Sequence, residues 1–173
     1  MQHPRGTLTI YGRSCPVVHS ALVLIPPSAG SDSFSLYLHA DALKTHGGFL
    51  MLDYLPVGKV RSLDNLRRAC ICFEGDDPTP DDTVGSDPVD LATTGWTFPG
   101  YEDDDSKNWH FESFRADIEG LGGNTFRVRV RCQLTNWTND AGLAGEADFV
   151  AVGRIGAPPL YDETTDGWSP SDE

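Results

Sequence analysis

Hydrophobic and polar positions alternate with a period of two over much of this chain, and that period builds strands rather than helices. The cleanest row is Phe126, Val128, Val130, Cys132 and Leu134, interleaved with Arg127, Arg129, Arg131, Gln133 and Thr135. On a pleated strand the first set lines one face and the second the other, so a half-buried strand with outward arginines is expected. Turn residues fill 139–145, and 147–155 reads as its antiparallel partner. Upstream, 7–11 alternates and closes on Gly12. Residues 17–25 form a nearly continuous apolar run stopped by Pro26 and Pro27, which favours a buried strand. Residues 34–39 alternate again, 49–55 follow Gly47 and Gly48, and 70–73 make a short strand. In 109–118, Trp109 and Phe111 have one parity while Phe114, Ala116 and Ile118 have the other. A bulge near Ser113 would turn both sets inward.

Helix signals are sparse. Residues 62–68 fit one or two turns with Ser62 as N-cap, and 41–44 fit another turn. About eight strands and one short helix predict an all-β protein, an antiparallel β-sandwich, with a closed β-barrel as the alternative.

Charge changes the picture of domain organisation. The 173 residues have 39% hydrophobic content, enough for one domain with a real core, yet the net charge is −13. Eleven acids and no Lys or Arg lie between Glu74 and Ser106, and five more acids without a base follow Ala157. The remainder carries 10 acids and all 13 bases, a net +3. The expected organisation is therefore a β-domain over 1–157 with an acidic insertion at 75–106, followed by an acidic, flexible tail at 158–173. Val89, Leu91, Trp96, Phe98 and Tyr101 are the apolar residues available to pin the insertion down. No apolar run is long enough for a membrane helix, and the polar N-terminus has no signal-peptide pattern, so a cytoplasmic location is expected.

Candidate chemistry is thin. Cys15, Cys70, Cys72 and Cys132 match no zinc spacing and read as thiols without a disulfide framework. His39, Asp41 and His46 cluster in sequence but fit no fixed-geometry metal site; His19, inside an apolar strand, reads as a hydrogen-bonded core or edge histidine. His110 and Glu112 share a strand face, an acid/base pair only if solvent is excluded. Cys15 beside Arg13 has no base to activate it. Asp103, Asp104 and Asp105 open like a calcium loop, but Lys107 and Asn108 break the EF-hand pattern. A looser calcium site there, shared with Asp76, Asp77, Asp81 and Asp82, is the one cofactor the sequence offers; otherwise none is expected.

The arginine row is the most specific feature. Three like charges two residues apart stand side by side and repel unless something negative lies across them. The tethered acidic insertion is the expected counter-charge, by effective concentration. Trp96 and Trp137, in expected loops, are aromatic candidates for contact. The sequence thus favours a non-catalytic interaction or assembly module, with Arg127, Arg129, Arg131, Trp96 and Trp137 as binding residues and a protein or a second copy as partner. The acidic balance argues against nucleic acid. The alternative is a small-ligand or carbohydrate-binding protein, or a hydrolase, using a carboxylate or calcium site in the insertion.

Overall fold

The structure, a computed structural model, describes residues 5–10, 13–28, 34–42, 49–57, 60–74, 95–97, 108–136, 141–162 and 167–169. Its strands are β1 (Gly6–Ile10), β2 (Arg13–Ile25), β3 (Ser35–Ala42), β4 (Phe49–Pro56), β5 (Arg68–Glu74), β6 (Gly95–Thr97), β7 (Asn108–Gly122), β8 (Thr125–Asn136), β9 (Ala141–Ile155), β10 (Leu160–Asp162) and β11 (Gly167–Ser169). The helical element among the described residues is a 3₁₀ turn, Leu63–Leu66, inside the stretch where the sequence placed a helix. Asn65 ties its entry: its Oδ1 accepts the backbone N–H of Arg61 at 3.0 Å and of Ser62 at 3.2 Å. The turn expected at 41–44 starts inside β3 instead, which runs on to Ala42.

The protein is all-β, as the alternation predicts. Nine strands form one curled, half-barrel sheet in the order β5-β7-β6-β4-β3-β2-β1-β9-β8, with additional pairings β7–β8 and β2–β9. Pairing is antiparallel except where Leu22–Leu24 of β2 runs parallel to 153–155 of β9. The exception follows from the shortness of β1, which is antiparallel to both neighbours. Past its first residue those neighbours converge and pair directly. Gly6 sits at that point with φ 152°, and a Cβ there would run into the Asp148 carbonyl oxygen and the Phe149 Cα. Only glycine permits so close an approach. Just beyond, the Ser20 hydroxyl donates to the Val150 carbonyl at 2.8 Å.

The apolar row of β8 is buried throughout and packs with Phe114, Ala116 and Ile118 of β7, Ala147, Phe149 and Ala151 of β9, and Leu36, Leu38 and Ala40 of β3. Each fully buried Phe or Leu contributes about 1.5–3 kcal/mol relative to an exposed one. The expected bulge in β7 is present as a register shift between Phe111 and Ser113. A second shift, between Val17 and His19, changes which parity of β2 faces the core: Cys15 and Val17 before it, Leu22 and Leu24 after. A period-two strand ordinarily leaves one face to water, but β3 is covered on both. Tyr37 and His39, with Val23 of β2, are buried on the face away from the core cluster. Within the acidic insertion, β6 pairs with β4 on one side and with the start of β7 on the other. The stretch read as a tail contains the β10–β11 hairpin.

Candidate functional site: a charged sheet face

The outward arginines of β8 lie between two strands that carry acids at matching positions. Register sets Arg131 between Arg115 of β7 and Glu146 of β9, Arg129 between Asp117 and Asp148, and Arg127 between Glu119 and Val150. Long side chains reach the diagonal neighbour as well as the opposite one. Arg127 makes a fork on Asp148, Nε donating to Oδ1 at 2.8 Å and Nη2 to Oδ2 at 2.6 Å. Arg129 donates from Nη2 to Glu119 Oε2 at 3.2 Å, and its Nε stands 4.0 Å from Asp148. Arg115 reaches along its own strand to Asp117, at 3.0 and 3.3 Å. The Arg127 fork holds the Asp148 carboxyl below its ordinary value, and Arg115 does the same to Asp117. With the Arg127 and Asp148 side chains 42% and 41% exposed, water screens these pairs. They order the face more than they stabilise the fold.

Arg131 differs from its neighbours. It is exposed and enters no ion pair within 4.0 Å among the described residues, acting on Asp117 only at longer range. It borders a shallow depression of about 200 Å³ lined also by Thr7, Thr9, Asp117, Arg129, Glu146 and Asp148. The Thr9 hydroxyl is held 2.8 Å from that of Ser14. Farther down β9 the same outward row includes Val152, 58% exposed, where pairing with β8 ends.

Next to this face lies β5, where Cys70 stands opposite Asp117 and Cys72 opposite Arg115. Burial, together with a hydrogen bond to Asp117, pushes the Cys70 thiol up to about 11. Burial pushes the inward Cys132 thiol up to about 12. No cysteine is disulfide-bonded; Cys15 and Cys132 are buried as small hydrophobes, whereas Cys70 and Cys72 are half-buried.

The structure therefore assembles the three sequence-predicted arginines on one face and adds Asp117, Glu119, Glu146 and Asp148, which sequence reasoning passed over. Their signal was present, since 117/119 and 146/148 are themselves period-two acid pairs flanking the arginine row. The counter-charges of Arg127 and Arg129 are thus strand residues. Trp96 is not brought to this face: it lies in β6 opposite Leu50 and Trp109, at the end of β7 away from Asp117 and Glu119. Trp137, Asp103, Asp104, Asp105 and His46 lie outside the described residues, as does the insertion apart from β6.

The histidines form a separate group. His39 is fully buried, and burial, with the nearby His19, lowers its pKa to about 3. The His19 ring centroid is 5.7 Å away and that of Tyr37 6.2 Å. His19 is also lowered, first by burial and then by Arg5. Both imidazoles are neutral near pH 7. Glu112 is exposed and stands 3.5 Å from the Thr135 hydroxyl, which donates to it. Among the described residues no three or more His, Cys, Asp or Glu side chains are arranged to hold a metal ion, and no helix is long and apolar enough to cross a membrane. Compared with protein families, curated proteins and solved structures, the chain matches none.

Proposed function

We propose that this chain is a non-catalytic interaction module that binds a macromolecular partner, or copies of itself, through the outer face of β7, β8, β9 and β1. One observation carries the reading: an exposed arginine, Arg131, borders a depression without a close ion-pair partner among the described residues, in a face whose other arginines are paired. A partner carboxylate set there would complete the pattern, and Arg suits that fork geometry. The interspersed signs suit a protein surface with a complementary mosaic; a nucleic-acid backbone calls for a uniformly basic footprint. The exposed Val152 beside the ion pairs adds apolar contact of the kind found at interface centres.

For the finer architecture, the closed barrel has more support than the sandwich. Pairing can be followed from β7 through β8, β9, β1, β2, β3, β4 and β6 back to β7. The test of function is affinity capture from an extract of the source cells with the full chain and with Arg129→Glu/Arg131→Glu. Capture that weakens with salt and is lost in the variant is expected. A monomeric protein whose captured set is the same for both forms would overturn the reading.

A further inference from the structure

We propose that two copies of this chain pack face to face about a two-fold axis that runs along the seam between β8 and β9. The inference rests on the reading of this outer face as a contact surface and names a second copy as its partner. Cross-strand register sets the outward residues of the face in levels. Arg115, Arg131, Glu146 and Thr9 share one level, and Asp117, Arg129, Asp148 and Thr7 share the next. Glu119, Arg127 and Val150 form a third. Base therefore stands beside acid along the seam, with Arg131 directly opposite Glu146 and Arg129 directly opposite Asp148. Arg131 and Glu146 are both exposed, and neither enters an ion pair within 4.0 Å among the described residues.

A two-fold axis along this seam lays β8 of one copy over β9 of the other and keeps every level in register. Arg131 then faces Glu146 of the second copy, and Arg129 faces its Asp148. Farther out, Arg115 faces Thr9 and Asp117 faces Thr7. On the third level Arg127 faces Val150, and Glu119 faces the position of Arg5, whose carbonyl accepts the Val150 N–H at 2.7 Å. Val152, the exposed apolar residue of β9, faces Thr125. No like charges meet, and the axis makes each contact twice, as a closed dimer requires. Other axes fail on charge. Any axis along or across β8 sets its arginines over one another, and the same operation on β9 opposes acid to acid. The seam between β7 and β8 sets Arg115 over Arg131. The seam between β9 and β1 leaves Arg131 over Ser14, with no acid. Facing sheets stand about 10 Å apart, a gap that paired long side chains fill. Exposed ion pairs are individually weak, so the dimer forms with rising concentration and is loosened by salt.

Charge exchange on the full-length protein tests this, read by native mass spectrometry and sedimentation at low salt. The natural chain should give a species at twice the 18.9 kDa chain mass. Arg131→Glu alone and Glu146→Arg alone should each weaken it at least roughly tenfold, because two attractions turn into two repulsions. Mixing these two variants should restore a dimer containing one of each, since every seam position then meets the opposite charge. The double exchange Arg131→Glu/Glu146→Arg should dimerise by itself. Recovery in the mixture separates a lost contact from a misfolded variant. A protein that stays monomeric at every concentration overturns the proposal. So does a dimer that both single variants form as well as the natural chain, or a mixture that recovers nothing. A monomer that captures other proteins, and loses them on Arg129→Glu/Arg131→Glu, sinks this inference alone. A chain with neither dimer nor face-dependent capture sinks the broader reading with it.

Discussion

Two Gly→Ala substitutions on the same strand should change stability in opposite directions. Gly153 of β9 is buried, and a Cβ built on it would stand 2.6 Å from Cε2 and 3.0 Å from Cδ2 of the Phe126 ring, and 3.3 Å from Leu63 Cδ2. That ring is 0% exposed and packed among the core, so it cannot swing aside. Overpacking of this kind costs about 1–3 kcal/mol. The restricted unfolded chain returns about 0.4–1 kcal/mol, so the net expected loss is on the order of 1–2 kcal/mol. Gly142, near the start of the same strand, is exposed and has nothing within 4 Å of its Cβ position. There only the unfolded-state term operates, and Gly142→Ala should gain about 0.4–1 kcal/mol. Urea unfolding of both variants with a shared m-value is the assay, and thermal midpoints should move by about 2–4 °C per kcal/mol. Phe126→Leu removes the clashing ring atoms, so Gly153→Ala should cost less in that background by at least about 0.5 kcal/mol. If Gly153→Ala were as stable as Gly142→Ala, the close packing of β9 on Phe126 would be refuted.

Acid should weaken the fold in two separate windows. His39 titrates at about 3 in the fold and near 6.5 when unfolded, so the unfolded state takes up its proton first and stability declines as pH falls between those values. His39→Leu should flatten the decline, removing up to about one proton taken up on unfolding near pH 5. Asp148 and Asp117 are lowered instead; their contribution is complete above the unfolded value of about 3.9 and is lost as pH falls through the lower folded values. Asp148→Asn should shrink only that second, more acidic loss in a pH series of urea midpoints. Because the hydrogen bond to Asp117 helps raise the Cys70 thiol, Asp117→Asn should speed alkylation of Cys70 by iodoacetamide at pH 8, read by peptide mapping; an unchanged rate would contradict the contact. Gly6→Ala has no room beside the Phe149 backbone and needs an unfavourable φ, so it should destabilise the protein by at least about 1–3 kcal/mol in the same urea assay.

Much of the sheet was legible in the sequence because binary alternation fixes which residues face inward. The row from Phe126 to Leu134 is buried throughout, and the parity break in β7 marks its bulge. The alternation is local, however, and three features depend on which strands meet. The counter-charges of Arg127 and Arg129 come from Asp148, 19 to 21 residues later, and from Glu119, 10 residues earlier than Arg129; only the cross-strand register puts them in reach. The change of parity within β2 was masked by the continuity of its apolar run, where every residue is a plausible inward one. The double burial of β3 was hidden because Tyr37 and His39 are equally at home on a half-wet face, and only tertiary packing covers them. In β6, three residues around Trp96 close the pairing between β4 and β7, too short a stretch for a period to emerge.

The central claim is that the outer face of β7, β8, β9 and β1 is a contact surface. Covalent footprinting tests it most directly, with phenylglyoxal for Arg127, Arg129 and Arg131 and carbodiimide coupling for Asp117, Glu119, Glu146 and Asp148. Labelling should be compared for the isolated chain and for the chain equilibrated in an extract of its source cells, with mass-spectrometric readout by residue. The account predicts that labelling of Arg131 and Glu146 falls most, while exposed Arg61, on the approach to the 3₁₀ turn, labels as before. Equal labelling of the whole charged face in both conditions, while other surface residues become protected, would contradict it.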